Sequence, residues 1–371
     1  MSGVDSGVSA AAVHTVTLQQ RETLSDYITA IAWSPDGEWL AAASTAGDVV
    51  VYPVSNPAAP HPAAPHPPIV LQSASGMAIH GLGFSADSQF LTAAGQAGEV
   101  TVWQMQPPTG SITFQQSDLG VWIDQLAWHP TQNQLAVGVG PVVQVWQIET
   151  GDRLAQLDFQ TSSVLHLAWH PTGQYLTVSG HGGVKVWDAT DWPAQPEEVP
   201  VPGASIFAAW SLDGRYLSSG NLDRTLMVVE WGSPPPWFMQ GFPGKVRQLS
   251  WSMPVSPADS PLLAAACAEG ITVWERERPQ GGVWRSQVLQ HHRGTVEAIA
   301  FQPNSLLLAS ASQDGQIGLW HRGKRLIKTL KGFSQGVSSL AWHPTGEQLA
   351  AGGTTGELRV WRVSHRAKGF G

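Results

Sequence analysis

Three histidines stand at equivalent places in the sequence and have the side chain best suited to metal chemistry. His129, His170 and His343 each follow an Ala-Trp pair and precede a proline. Neutral imidazole is a good ligand for zinc or copper. Equivalent turns on a wide repeat array can, however, stand too far apart to share one ion. We therefore expect these histidines to stabilise turns, with a role in metal binding or metal delivery as the alternative.

Other patterns typical of catalysis are weak. The sequence contains neither the phosphate-binding pattern GxxxxGK[ST] nor the zinc-peptidase pattern HExxH. Glu197 and Glu198 form a carboxylate pair, but the flanking prolines predict a solvated loop. Cys267 is the single cysteine, which excludes an intramolecular disulfide framework and a cysteine-based zinc site. We expect a protein that is not an enzyme and holds no cofactor.

The elements that position these residues come from one unit repeated eight times. In each unit an apolar strand ends in Ala-Trp or a variant, a short Ala-rich strand follows, and a third strand ends in an aromatic residue. The closing aromatics recur every 41 to 51 residues: Tyr52, Trp103, Trp146, Trp187, Trp231, Trp274, Trp320 and Trp361. This period, with several short strands per unit, is the signature of a β-propeller. A fourth strand per unit is expected between repeats, for example at IVLQ, SITFQQ and RLIKTL.

The segment from Leu289 to Trp320, LQHHRGTVEAIAFQPNSLLLASASQDGQIGLW, resembles the WD-repeat family. The resemblance implies a hydrogen-bonded set of His292, Ser310 or Ser312, Asp314 and Trp320. Other repeats mostly lack the histidine, but the repetition extends over nearly the whole chain. We therefore predict an all-β WD-repeat propeller of eight four-stranded blades, with seven blades plus an irregular unit as the alternative.

The ring is expected to occupy residues 13–363 as one domain, with a flexible segment at 1–12 and a basic tail at 364–371. The segment HTVTLQ, which starts at His14, can supply the missing outer strand of the last blade, which removes an open edge. A Pro/Ala/His-rich insert at 53–68 is predicted to run extended on the surface as a spacer, or to bind a proline-recognising domain. GSPPPW, from Gly232, is predicted to be a surface loop. No apolar stretch is long enough to span a membrane and no signal-peptide pattern is present, so we expect a cytoplasmic protein.

Charge is distributed unevenly along the chain, whose formal net charge is −8. Residues 1–275 contain 7 Lys/Arg against 23 Asp/Glu, and residues 276–371 contain 13 against 5. The densest basic stretch is HRGKRLIKTLKG, from His321 to Gly332. It predicts a solvated outer strand or a surface for an acidic protein partner. Nucleic acid is less favoured because exposed aromatics do not alternate with these cations, and no membrane partner is expected.

A scaffold that recruits partner proteins is the function that this pattern favours. The family resemblance implies that residues entering each innermost strand lie on the rim used for binding. Aromatic and arginine side chains dominate interface energetics, and charged neighbours contribute specificity. The predicted partner-binding residues are Tyr27, Trp122, Asp124, Lys245, Arg247, Arg293 and Glu297. Besides the metal-binding alternative, a small-molecule binder or enzyme that uses the central channel is a further alternative.

Overall fold

The computed structural model describes residues 13–54, 67–106, 110–117, 119–160, 162–254, 256, 259–277 and 282–366. Within these ranges the regular structure consists of β-strands, and no helix occurs. The strands form eight four-stranded antiparallel sheets. These sheets are the eight blades of a propeller, which confirms the predicted fold class and blade number.

The strands are numbered in chain order. The first sixteen are β1 (Val13–Thr23), β2 (Ile28–Trp33), β3 (Trp39–Ser44), β4 (Val49–Pro53), β5 (Ile69–Gln72), β6 (Ile79–Phe84), β7 (Phe90–Gly95), β8 (Val100–Gln104), β9 (Ser111–Gln116), β10 (Leu126–Trp128), β11 (Gln134–Val139), β12 (Val142–Gln147), β13 (Asp152–Asp158), β14 (His166–Trp169), β15 (Tyr175–Gly180) and β16 (Gly183–Asp188). The second sixteen are β17 (Glu197–Val199), β18 (Ser205–Trp210), β19 (Tyr216–Asn221), β20 (Leu226–Glu230), β21 (Ser233–Met239), β22 (Gln248–Trp251), β23 (Leu263–Cys267), β24 (Gly270–Arg276), β25 (Trp284–Leu289), β26 (Val296–Phe301), β27 (Leu308–Ser312), β28 (Ile317–His321), β29 (Arg325–Leu330), β30 (Val337–Trp342), β31 (Gln348–Gly353) and β32 (Glu357–Arg366).

Blades 1 to 7 are meanders whose innermost strand comes first in the chain. Blades 1 to 7 consist of β2–β5, β6–β9, β10–β13, β14–β17, β18–β21, β22–β25 and β26–β29. Blade 8 has the order β1-β32-β31-β30, so its outermost strand comes from the start of the chain. The β1–β32 register runs from Val13 opposite Arg366 to Thr23 opposite Glu357. The first and last strands are therefore hydrogen-bonded to each other, as the sequence predicts.

The core lies between the blades. Eight clusters of buried apolar side chains occupy the eight interfaces between neighbouring blades, including the one that joins blade 8 to blade 1. The second strands carry alanines such as Ala41, Ala42 and Ala43, all fully buried, because both faces of a blade are covered by its neighbours. This packing explains why the second strands have little alternation of polar and apolar residues.

In six of the eight blades the innermost strand ends in a tryptophan, which ties its blade to the preceding one. Trp169 Nε1 donates to the Ala127 carbonyl at 3.0 Å, and Trp342 Nε1 donates to the Ala300 carbonyl at 3.0 Å. Trp33 makes the equivalent bond, 3.1 Å long, to the Ala341 carbonyl and so connects blade 1 to blade 8. The high tryptophan content therefore serves the contacts between blades.

Two predicted loops are strands, and one predicted boundary shifts. GSPPPW lies mostly in β21, whose free outer edge tolerates prolines that lack a donor. Glu197 and Glu198 lie in β17, and Lys185 Nζ is 3.1 Å from Glu198. β32 extends to Arg366, into the predicted tail, because β1 pairs with it that far. The segments 1–12, 55–66 and 367–371 lie outside the described residues, so the predictions made for them stay predictions.

Candidate functional site

The propeller has two faces with different loops. The upper face carries the loops that enter each innermost strand and the turns between second and third strands. These two sets of loops contact each other: Thr45 N donates to the Tyr27 carbonyl, and Gln313 N donates to the Thr295 carbonyl, both at 2.9 Å. The lower face carries the remaining turns. All seven predicted partner-binding residues lie at or near the upper face.

An apolar patch occupies the upper face of blades 2 and 3. Trp122 is 63% exposed, Met77 is 50% exposed and Val121 is 39% exposed. Trp122 and Val121 precede buried Ile123, and Met77 occupies the place equivalent to Val121 one blade earlier. The backbone holds this loop in place, since Ile123 N donates to the Gly95 carbonyl at 3.1 Å. Asp124 is an exposed carboxylate beside the patch. Large exposed apolar side chains with polar neighbours mark interaction sites.

Tyr27 is half-buried at the upper face of blade 1. Burial raises the pKa of its phenol, the Glu297 carboxylate raises this pKa further, and a hydrogen bond with Ser338 lowers it. Tyr27 therefore lies close to residues of blades 7 and 8. Glu297 also accepts a hydrogen bond of 2.6 Å from Gln313 Nε2. Two predicted residues, Tyr27 and Glu297, are thus brought together near the innermost strands.

Cationic side chains are exposed on the upper face of blades 5 to 7. Lys245, Arg247 and Arg293 are all exposed. The structure adds Arg224, which lies in a turn of blade 5 with a φ of 65°. Burial raises the pKa of the Cys267 thiol, whereas a hydrogen bond from the Gly244 backbone and the nearby guanidinium groups of Arg247 and Arg224 lower it. Arg224 was missed because its position in the repeat lies outside the strand-entry loops.

The three histidines of the His-Pro turns lie on the lower face at three different blade interfaces. In each case Nε2 lies 3.1 Å from a glycine carbonyl in the corresponding turn of the next blade; the pairs are His129–Gly173, His170–Gly214 and His343–Gly37. Nδ1 accepts from a backbone N–H of the same turn, at 3.2 Å for Thr172 N to His170. Each imidazole ring also packs in a T-shaped arrangement against the tryptophan of the next blade, with ring centroids 4.7 to 4.9 Å apart.

These contacts occupy both ring nitrogens with protein groups. Burial also lowers the pKa of His129 and of His170. In the described ranges, no group of three or more His, Cys, Asp or Glu side chains is arranged to hold a metal ion. The three histidines therefore contact groups of their own turn and of the neighbouring blade.

The hydrogen-bonded set implied by the family resemblance is present in blade 7. His292 Nε2 lies 2.8 Å from Ser310 Oγ, and its Nδ1 lies 3.3 Å from Asp314. Trp320 Nε1 donates to the same Ser310 hydroxyl at 2.9 Å. Of the two serines left open by the sequence, Ser310 is thus the member of the set. Ser312 instead donates to the Gly294 carbonyl at 2.8 Å.

One string in the sequence, GFSQG at 332–336, has the GxSxG spacing of a hydrolase nucleophile. It lies in the loop between β29 and β30, not in the strand-to-helix turn that such a nucleophile requires. The Ser334 hydroxyl lies 3.0 Å from the Thr355 hydroxyl, and Ser334 N donates to Glu357. This geometry supplies no base for the serine.

In the described part of the chain, no helix is long and apolar enough to cross a membrane.

Comparison with known proteins agrees with this architecture. The family model "WD domain, G-beta repeat" matches residues 17–52, 151–188, 284–321 and 324–362. The chain is a WD-repeat β-propeller. Part of the chain resembles the Arabidopsis thaliana "Protein transport protein SEC13 homolog B", with 31% identity over 27% of this chain and 36% of that protein. Part of it also resembles the zebrafish (Danio rerio) "p21-activated protein kinase-interacting protein 1-like", with 36% identity over 22% of each chain.

Other relatives match over small parts of their length. The "66 kDa stress protein" of Physarum polycephalum is 36% identical over 22% of this chain, and 14% of its own length is covered. The mouse "Telomerase protein component 1" is 24% identical over 75% of this chain and 9% of its own length. The matched segments thus cover between 9% and 36% of the length of these four relatives, so most of each relative lies outside the match.

Proposed function

We propose that this propeller is a non-catalytic scaffold that binds partner proteins on its upper face. The observation that carries the proposal is the exposed patch of Trp122, Val121 and Met77, which lies on the strand-entry loops of two neighbouring blades. A backbone hydrogen bond from Ile123 N to the Gly95 carbonyl holds the loop of Trp122. A chain without partners gains no stability from an exposed tryptophan there, whereas a partner that covers it removes apolar surface from water.

The surrounding groups would make such binding selective. Arg224, Lys245 and Arg247 project as exposed cations on blades 5 and 6, and Tyr27 lies half-buried near the inner strands. Charges at the edge of an interface mainly set specificity and association rate, while a central aromatic supplies affinity. A partner would therefore place apolar side chains over Trp122 and acidic groups near the arginines.

The names of two relatives are consistent with a scaffold. One is described as a protein that interacts with a protein kinase, and one as a protein transport protein. A cytoplasmic location and the identity of the partner stay predictions.

Affinity capture of the tagged protein from its own host tests the proposal. We expect specific proteins to co-purify with wild type and to be lost with Trp122→Ala, because truncating a central aromatic typically weakens binding by about 2 kcal/mol or more. Ile112→Ala is the matched control, since Ile112 is 57% exposed on the outer strand β9, away from the upper-face loops. Arg247→Ala and Tyr27→Ala then map the extent of the surface. Equal capture by wild type and folded Trp122→Ala would refute the upper-face assignment.

A further inference from the structure

The outer hairpin of blade 7 is the most basic part of the molecule. Between Asp314 and Glu347 the sequence has no carboxylate, and it has five cations, Arg322, Lys324, Arg325, Lys328 and Lys331. They lie in or beside β28, the following turn and β29. This surface is distinct from the upper-face patch on blades 2 and 3.

Most of these cations have no acidic partner in the fold. Lys324 Nζ lies 2.7 Å from Glu275, in a pair whose two side chains are both nearly half exposed. Among ion pairs of the described residues, none includes the other four cations of the hairpin. Arg322 and Arg325 are exposed, and Lys328 is partly exposed. The hairpin thus presents charge that the chain itself leaves uncompensated.

β29 also has a free edge. It pairs with β28 on one side, and it is the last strand of its sheet. The N–H and C=O groups directed away from β28 can accept an added strand. Lysines on such an edge normally oppose pairing with a neutral or basic strand, because they would be desolvated next to it. An acidic strand reverses the sign of that effect.

A cleft continues from this edge to the lower side of blade 6. Its volume is about 570 Å³, and its charged lining is mixed: the cations are Arg276, Arg285, Arg322 and Lys324, and the carboxylates are Asp259, Glu275 and Glu277. Leu262 and Leu306 contribute apolar lining. The Ser260 hydroxyl is buried and has no hydrogen-bond partner among the described residues. The cleft can therefore receive a side chain from a segment that lies along β29.

We propose that the β29 edge and the adjoining cleft bind an acidic, extended segment of a partner protein. The segment adds as a fifth strand to blade 7, its carboxylates approach Arg325 and Lys328, and a neighbouring side chain enters the cleft beside Leu306. The Glu275–Lys324 pair is an exposed ion pair of small energy, so it can open to admit the ligand.

Two observations favour a polypeptide over nucleic acid or a lipid surface. A free strand edge offers main-chain groups that match another polypeptide. In addition, Trp320, the tryptophan of the hairpin, is buried and cannot stack on bases. The carboxylates of Asp259, Glu275 and Glu277 line the cleft beside this cationic surface and would repel a long polyanion.

Fluorescence anisotropy with the purified full chain tests this proposal. The probe is a fluorescein-labelled peptide of alternating glutamate and valine, and the comparison peptide alternates lysine and valine. We expect saturable binding of the acidic peptide alone, with affinity that falls as salt rises. Arg325→Glu/Lys328→Glu should weaken that binding at least about tenfold. Arg153→Glu, an exposed cation on the outer strand β13, is the matched control and should leave it unchanged.

Hydrogen exchange gives a second readout, because edge pairing should slow exchange of the outward amides of β29. Trp122→Ala should bind the peptide as wild type does, so this result is independent of the upper-face proposal. The proposal is overturned if the acidic peptide does not bind, or if it binds without protecting β29. Equal binding to the control peptide overturns it too. Tighter binding of oligouridine RNA or phosphatidylserine vesicles, lost in the double variant, would reassign the surface to nucleic acid or to membrane.

Discussion

Replacing His170 with alanine should measurably weaken the interface between blades 4 and 5. The substitution removes the Nε2 contact with the Gly214 carbonyl and the Nδ1 contacts with the Thr172 turn. It also removes the edge-to-face contact with Trp210, whose ring centroid lies 4.7 Å away. About 1 kcal/mol for each of two hydrogen-bonded sites and about 1 kcal/mol for the aromatic contact predict a loss of about 3 kcal/mol in the free energy of unfolding.

The chain itself suggests a variant that separates these contributions. In blade 7 the equivalent residue is Gln302, and its Nε2 donates to the Gly346 carbonyl of blade 8 at 2.6 Å. His170→Gln should therefore keep the bond between blades, lose the ring contact and cost about half as much as His170→Ala. His80→Ala, at an exposed histidine of the upper face, should change stability by no more than about 0.5 kcal/mol.

Urea unfolding followed by tryptophan fluorescence would give these free energies, and hydrogen exchange would locate the loss at blades 4 and 5. This prediction is wrong if His170→Ala destabilises the protein no more than His80→Ala does. It also fails if glutamine is as damaging as alanine, because the bond to Gly214 would then contribute nothing.

Three further predictions concern stability. Burial lowers the pKa of His129 and His170 and lowers that of His166 to about 4. Because these histidines bind protons more readily in the unfolded chain, the folding stability should be full above about pH 6.5 and should fall as the pH drops towards the pKa values of the folded state. Melting temperatures measured between neutral and acidic pH check this, and His166→Asn should flatten the dependence. Ser310→Ala leaves His292 and Trp320 without their shared partner and should lower the free energy of unfolding by about 2–4 kcal/mol. Ser163→Ala, at an exposed serine, is the control and should change this free energy little. A loss under about 1 kcal/mol for Ser310→Ala in urea unfolding would contradict the hydrogen-bonded set. Deleting residues 1–23 removes β1 and exposes the edge of β32. The truncated chain should melt at a lower temperature and show a larger mass than the full chain in size-exclusion chromatography with light scattering. An unchanged melting temperature and an unchanged oligomeric state would show that closure by β1 is dispensable.

The sequence by itself determined the architecture, because a propeller blade is a local unit. The Trp-ended strands, the Ala-rich second strands and the period of 41 to 51 residues specify eight blades without reference to distant contacts. Even the closure by β1 follows from counting strands, since the last unit lacks its fourth. The exposed Trp122 was also predictable, because a residue that enters an innermost strand must lie at the rim.

Only the tertiary structure decided what joins one blade to the next. Nε2 of His129 lies against the Gly173 carbonyl, 44 residues away, and no local pattern specifies that partner. The same holds for Arg224, which joins Arg247 near Cys267 from a neighbouring blade. β21 is a segment for which the local sequence pattern predicts the wrong structure. Its prolines predict a loop, whereas the free outer edge of blade 5 allows a strand there. Local periodicity therefore specifies each blade, whereas the groups that meet across an interface depend on how the blades are placed side by side.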